Sequence, residues 1–187
     1  MTAIIFPGQG SQYLNMSMDF NENFDVARKV FQEIEDSTQI NIRKIIAENP
    51  LDNLNQTNFT QISIFSASMA IYKSLLSEFS YEIIKPKILL GHSLGEYSAL
   101  VAANLIDINE ASILIKKRGE LMHSSIEPNI SGMAAIIGKN AKFIDGVIKK
   151  NNLKVEKVDG MKFNILTDKW NVDSDKSINY IAKFIKN

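Results

Sequence analysis

Ile88-Leu89-Leu90-Gly91-His92-Ser93-Leu94-Gly95-Glu96-Tyr97 is the stretch on which the reading of this chain turns. Ile88 to Leu90 reads as a fully buried strand of a parallel sheet. Gly91-His92-Ser93-Leu94-Gly95 matches the G-x-S-x-G pattern of a nucleophile elbow, and a helix from about Glu96 to Asn104 is expected after it. The chemistry explains the pattern. A nucleophilic hydroxyl has to stand clear of the backbone at a strand's end, on a sharp turn that neighbouring chain can approach. The helix behind it points a partially positive amino terminus at the place where an oxyanion develops. Ser93 is the candidate nucleophile.

Outward from the elbow, Ile83-Ile84 is set off from the strand by Lys85-Pro86-Lys87. Thr60 to Phe79 spaces Ile62, Phe65, Met69, Tyr72, Leu76 and Phe79 along one side of a helix, with Ser63, Ser66, Ala67, Ser68 and Ala70 between them. Small residues there allow close packing, so a core helix is expected. Asn23 to Glu35 places Phe24, Ala27, Val30, Phe31 and Ile34 at helical intervals. Ala3 to Phe6 is an apolar run ended by Pro7-Gly8, as a strand entering a loop would be. Asp107 and Glu110 have capping-box spacing and predict a helix to about His123. Strands alternating with helices in this order predict an α/β layered fold with a parallel sheet. The character changes near Ser131-Gly132. Met133 to Ile137 reads as a strand, a helix follows through Lys150, and Met161 to Ile165 reads as a further strand. A last helix is expected to carry Ile178, Ile181 and Ile185 on one side.

Composition narrows the function classes. In 187 residues, 45% hydrophobic, Lys+Arg and Asp+Glu are both 21, and no charged block argues for nucleic acid or a membrane surface. Cysteine is absent, which removes disulfides, thiolate metal sites and cysteine nucleophiles. Two histidines, His92 and His123, are too few for a multi-histidine metal site. The amino terminus lacks the basic start and apolar stretch of a signal peptide, and no run is long enough to span a bilayer. A soluble cytoplasmic protein without metal is expected.

Phe6-Pro7-Gly8-Gln9-Gly10-Ser11-Gln12, together with Gly91 to Leu100, resembles the malonyl/acyl-transferase family of fatty acid and polyketide synthesis. Thr60-Gln61, Arg118-Gly119 and Gly132-Met133-Ala134-Ala135-Ile136-Ile137-Gly138 agree in order and spacing, and the resemblance covers residues 1 to about 150. It implies an α/β-hydrolase-like acyltransferase core over residues 1–130, with part of a small ferredoxin-like subdomain and a C-terminal remnant over 131–187. It also implies a ping-pong reaction, in which Ser93 takes a malonyl group from malonyl-CoA as an ester and hands it to the thiol of acyl carrier protein. The N–H groups of Gln9 and Leu94 would form the oxyanion hole. Arg118 would bind the free carboxylate of malonyl through its planar guanidinium, a group that acetyl and longer acyl chains lack. Coenzyme A enters as a substrate carrier, and no cofactor is implied.

The pattern also breaks. Family members are longer, and their general base is a histidine in a second half that has no counterpart here; no histidine follows His123. The implied chain is truncated, or deleted through most of the small subdomain. His92 adjoins Ser93 and is expected to brace the elbow. His123, five residues past Arg118, points about 140° away from it on a helix. Without a base a hydroxyl is a poor nucleophile at neutral pH. Two readings stay open at this point. One is a malonyl transferase whose base comes from another chain or an unrecognised substitute. The other is a non-catalytic fragment or paralogue that binds acyl-CoA or acyl carrier protein. A plain serine hydrolase shares the elbow but does not explain Arg118 or the Gln9 loop.

Overall fold

In the computed structural model Thr2–Phe6 (β1) and Pro86–Gly91 (β2) pair in parallel, with Ala3 opposite Ile88 and Phe6 opposite Gly91. Parallel neighbours cannot be joined by a tight turn, so the chain between them has to cross over. It does so through Met18–Asn23 (α1), Asp25–Thr38 (α2), Ile42–Glu48 (α3), a 3-10 turn at Pro50–Asn55, Thr57–Glu78 (α4) and the single turn Tyr81–Ile84 (α5). Gly95–Ala102 (α6) and Ile108–Ser124 (α7) follow the elbow. The structure describes residues 2–79, 81–84, 86–125, 131–134, 141–151, 154–158 and 181–185. The chain divides into two compact units, Met1–Ser125 and Ile126–Asn187.

The first unit is organised around α4. Apolar and small residues surround this helix, and it is buried almost continuously from Thr60 to Tyr72. A helix without a polar face belongs inside a core. The hydroxyls of Ser66 and Ser74 donate to the carbonyls of Ile62 and Ala70, one turn back, so their burial leaves those groups paired. α2 lays Ala27, Val30, Phe31 and Ile34 into the same core, and α7 adds Ile108, Ala111 and Ile115. Each large side chain so buried contributes roughly 1.5–3 kcal/mol relative to exposure. Asp107 starts α7 as expected, its side chain accepting from the Asn109 N–H at 2.8 Å. Phe6, the last residue of β1, meets Tyr72 of α4 edge-on with ring centroids 5.7 Å apart. That contact ties the strand leading to Gln9 to the central helix.

One expectation for this unit is corrected. β2 is not fully buried: Ile88 is 42% exposed, and Ile5 on β1 is 58% exposed. Among the described residues of the unit only β1 and β2 pair, and so short a sheet leaves apolar side chains uncovered. Ile83-Ile84 lies in the helical turn α5.

In the second unit Ser131–Ala134 (β3), Ala141–Lys150 (α8), Lys154–Val158 (β4) and Ile181–Ile185 (β5) are described. β5 lies between β3 and β4 and runs antiparallel to both. The helix expected around Ile181 and Ile185 is therefore a strand. Isoleucine spacing satisfies a helical period, but β-branched residues suit strands, and hydrogen-bonded partners on both edges decide the matter. The strand expected at Met133 to Ile137 is described only through Ala134. Met161 to Ile165, Ile178 and most of the Gly132 to Gly138 motif lie outside the described residues.

Candidate active site

The elbow has the geometry its residues call for. Ser93 stands between the end of β2 and the start of α6 with φ at 56°, in the left-handed region that costs an ordinary residue about 1–2 kcal/mol. Strain of this kind persists only where its surroundings impose it. Here Leu94 is fully buried and anchors the turn from below, while the Gly95 N–H donates to the His92 carbonyl at 2.9 Å. Gly91 cannot be another residue without rebuilding the turn. A Cβ there would lie 2.0 Å from the backbone carbon and oxygen of Gly95.

The Gln9 loop comes to the same sheet edge. β1 and β2 end side by side, and the His92 N–H donates to the Phe6 carbonyl at 3.1 Å, extending the ladder one step past Gly91. The two loops then touch: a Cβ on Gly8 would lie 2.5 Å from His92 Nδ1. Bonds within the loop shape it. The Ser11 hydroxyl donates to the Gly8 carbonyl at 2.8 Å, the Gly10 N–H donates to Gln12 Oε1 at 2.8 Å, and Gly10 has φ at 105°. The Gln9 side chain turns away to donate to Thr57 Oγ1 at 3.2 Å. Among the described residues the backbone N–H groups of Gln9 and Leu94 have no hydrogen-bond partner. Both are thus available as donors.

Arg118 reaches Ser93. From α7 its Nη2 donates to Ser93 Oγ at 2.9 Å, and Nη1 donates to Gln61 Oε1 on α4. Among the described residues that is the one hydrogen bond to Ser93 Oγ. A guanidinium carries five N–H donors, so those two bonds leave three N–H groups for a carboxylate. Nothing acidic competes: among the described residues Arg118 is in no ion pair.

Ser93 and Arg118 are thus joined directly, and the Gln9 loop borders the elbow through Gly8. His92 braces the turn through its backbone. His123 is exposed near the end of α7, and among the described residues it makes no hydrogen bond to Ser93. Gln61 is the residue that sequence reasoning missed. Thr60-Gln61 stood there as a motif without a role, although an amide in the middle of an otherwise apolar helix has to find a partner once buried. Among the described residues no group of three or more His, Cys, Asp or Glu is placed to hold a metal. No helix there is long and apolar enough to cross a membrane.

A parallel strand pair, a strained serine at its carboxyl end and an arginine bonded to that serine define an α/β protein with a serine on its strand-to-helix turn. The chain belongs to the acyl transferase domain family, whose model matches residues 3–161. It is 35% identical over 162 residues to a malonyl CoA-acyl carrier protein transacylase of Haemophilus influenzae, covering 87% of this chain and 51% of that protein. A polyketide biosynthesis malonyl CoA-acyl carrier protein transacylase of Bacillus subtilis is 37% identical over 153 residues, covering 82% and 50%. Among solved structures, an acyl-carrier-protein S-malonyltransferase from Bartonella henselae superposes with a TM-score of 0.70 at 32% identity, covering 86% of this chain and 52% of that one. A malonyl-transacylase solved in complex with a type II polyketide acyl carrier protein superposes with a TM-score of 0.69 at 35% identity, covering 84% and 50%. The chain spans about half the length of the curated relatives it matches.

Proposed function

We propose that Ser93 takes a malonyl group from malonyl-CoA as an ester and passes it to the phosphopantetheine thiol of acyl carrier protein, in fatty acid or polyketide biosynthesis. Ser93 Oγ attacks the thioester carbonyl, and the carbonyl oxygen becomes an oxyanion that the Gln9 and Leu94 N–H groups stabilise. The C–S bond then breaks and coenzyme A leaves as its thiol, taking up the proton that the serine lost. The carrier-protein thiol reverses these steps on the ester. Arg118 holds the malonyl carboxylate throughout and favours malonyl over acetyl. No metal or organic cofactor enters this chemistry, and its setting is the cytoplasm.

The observation that carries the proposal is the 2.9 Å bond from Arg118 Nη2 to Ser93 Oγ. It puts a cation that suits a carboxylate within reach of a group esterified on that oxygen. No histidine follows His123, so the proton on Ser93 has no evident base in this polypeptide and loading by the chain alone is slow. Binding of acyl-CoA or carrier protein without turnover gains no support from these observations. We read residues 1–130 as an α/β-hydrolase-like acyltransferase core and 131–187 as part of a small ferredoxin-like subdomain. The division into units after Ser125 and the antiparallel β3-β5-β4 sheet support that reading.

The test is transfer of radiolabelled malonyl from malonyl-CoA to holo acyl carrier protein. Label should pass through the chain and fail to do so with Ser93→Ala. Equal transfer by both proteins would refute the proposal.

A further inference from the structure

We infer that Gln61 is the positioning residue that holds Arg118 in its carboxylate-binding pose without neutralising it, and so sets the preference for acyl groups that carry an acid. The inference rests on the reading of Arg118 given above. Gln61 is a fully buried amide on α4, and both ends of it are engaged. Its Nε2 donates to Met122 Sδ at 3.2 Å, and its Oε1 accepts from Arg118 Nη1. Arg118 and Met122 are one turn apart on α7, so a single side chain of α4 grips two successive turns of the neighbouring helix. The amide cannot turn over. A guanidinium only donates, and a flipped amide would set donor against donor.

The choice of an amide has a consequence for charge. This chain also contains an arginine held by an acid: Arg43 Nε donates to Glu35 Oε2 at 2.9 Å, and the Arg43 N–H donates to Glu35 Oε1 at 2.8 Å. There the ion pair satisfies the cation and links α2 to α3. At Arg118 the acceptor is neutral, so one edge of the guanidinium is fixed while its charge stays available. α7 comes close enough for this because Gly119 lies against Asn58, where a Cβ would be 3.0 Å from the Asn58 Cα.

The experiment measures binding of malonyl-CoA and acetyl-CoA by calorimetry, in a Ser93→Ala background so that no ester forms. The background protein should prefer malonyl-CoA by about tenfold or more. Gln61→Glu keeps the acceptor and pairs with Arg118, so it should melt no lower than the background yet bind the two thioesters within about threefold of each other. Gln61→Met, similar in volume but without an acceptor, should also lose the preference. A structural role alone would leave the preference intact in a stably folded Gln61→Glu protein, and that result overturns the inference. Arg118→Ala separates the two claims. If it abolishes the preference while Gln61→Glu and Gln61→Met retain it, Gln61 alone has been misread. If the background protein shows no preference, or Arg118→Ala retains it, the reading of Arg118 fails and the inference with it.

Discussion

Replacing Gly91 by alanine should collapse the elbow, and the structure sets the scale of the damage. The new Cβ would lie 2.0 Å from the carbon and oxygen of Gly95 and 2.2 Å from the Glu96 nitrogen. Ordinary contact begins at 3.4 Å, so the start of α6 has to retreat by about 1.4 Å. All three clashing atoms are backbone, and Leu94, between them and the core, is fully buried. No side-chain rotation can relieve the clash. Overpacking of this kind costs at the upper end of the usual 1–3 kcal/mol. Thermal unfolding should fall by roughly 6–12 °C for a cost of about 3 kcal/mol in a chain of this size. Function should suffer more, since a displacement of about 1 Å at a reacting group can cost on the order of 10²-fold. The paired assays are thermal unfolding followed by circular dichroism and malonyl loading of Ser93, read by mass spectrometry. A Gly91→Ala protein with unchanged melting and unchanged loading would refute the close-approach reasoning.

Three further outcomes are expected. Gly146→Ala on α8, where an added Cβ meets nothing within 4 Å, should raise stability by about 0.5–1 kcal/mol, read from urea unfolding of the same chain. Arg118→Lys keeps the charge but cannot hold Gln61 and Ser93 while forking a carboxylate. Malonyl-CoA affinity should fall about tenfold or more, with little change for acetyl-CoA, by calorimetry. Single-turnover loading of Ser93 should run 10²–10⁴-fold slower in this polypeptide than in a full-length relative, because general-base assistance contributes about that much. A comparable rate would make His92→Ala and His123→Ala the next variants to test.

The elbow was legible in the sequence because every part of it is local. An apolar run, two glycines around a serine and a helix-forming stretch fall within ten residues, and β2, Ser93 and α6 are laid out in that order. α7 was legible for the same reason, with Asp107 capping it as its spacing implied. Readings that depend on distant partners fared less well. The exposure of Ile88 goes with a sheet of two strands among the described residues, which a short apolar run does not report. Ile181 to Ile185 became a strand because β3 and β4 bind both its edges, and helical isoleucine spacing says nothing of either. Gln61 was visible as half of a motif, but its role depends on Arg118 and Met122, 57 and 61 residues away, meeting it across two helices.

The most direct measurement is peptide-level mass spectrometry of the 187-residue chain after prolonged incubation with malonyl-CoA. The structure predicts a single malonyl adduct on the peptide containing Ser93, labile to hydroxylamine as an ester is, and absent in Ser93→Ala. A malonyl group on another residue, or an adduct that persists in Ser93→Ala, would contradict the assignment of Ser93 as the nucleophile.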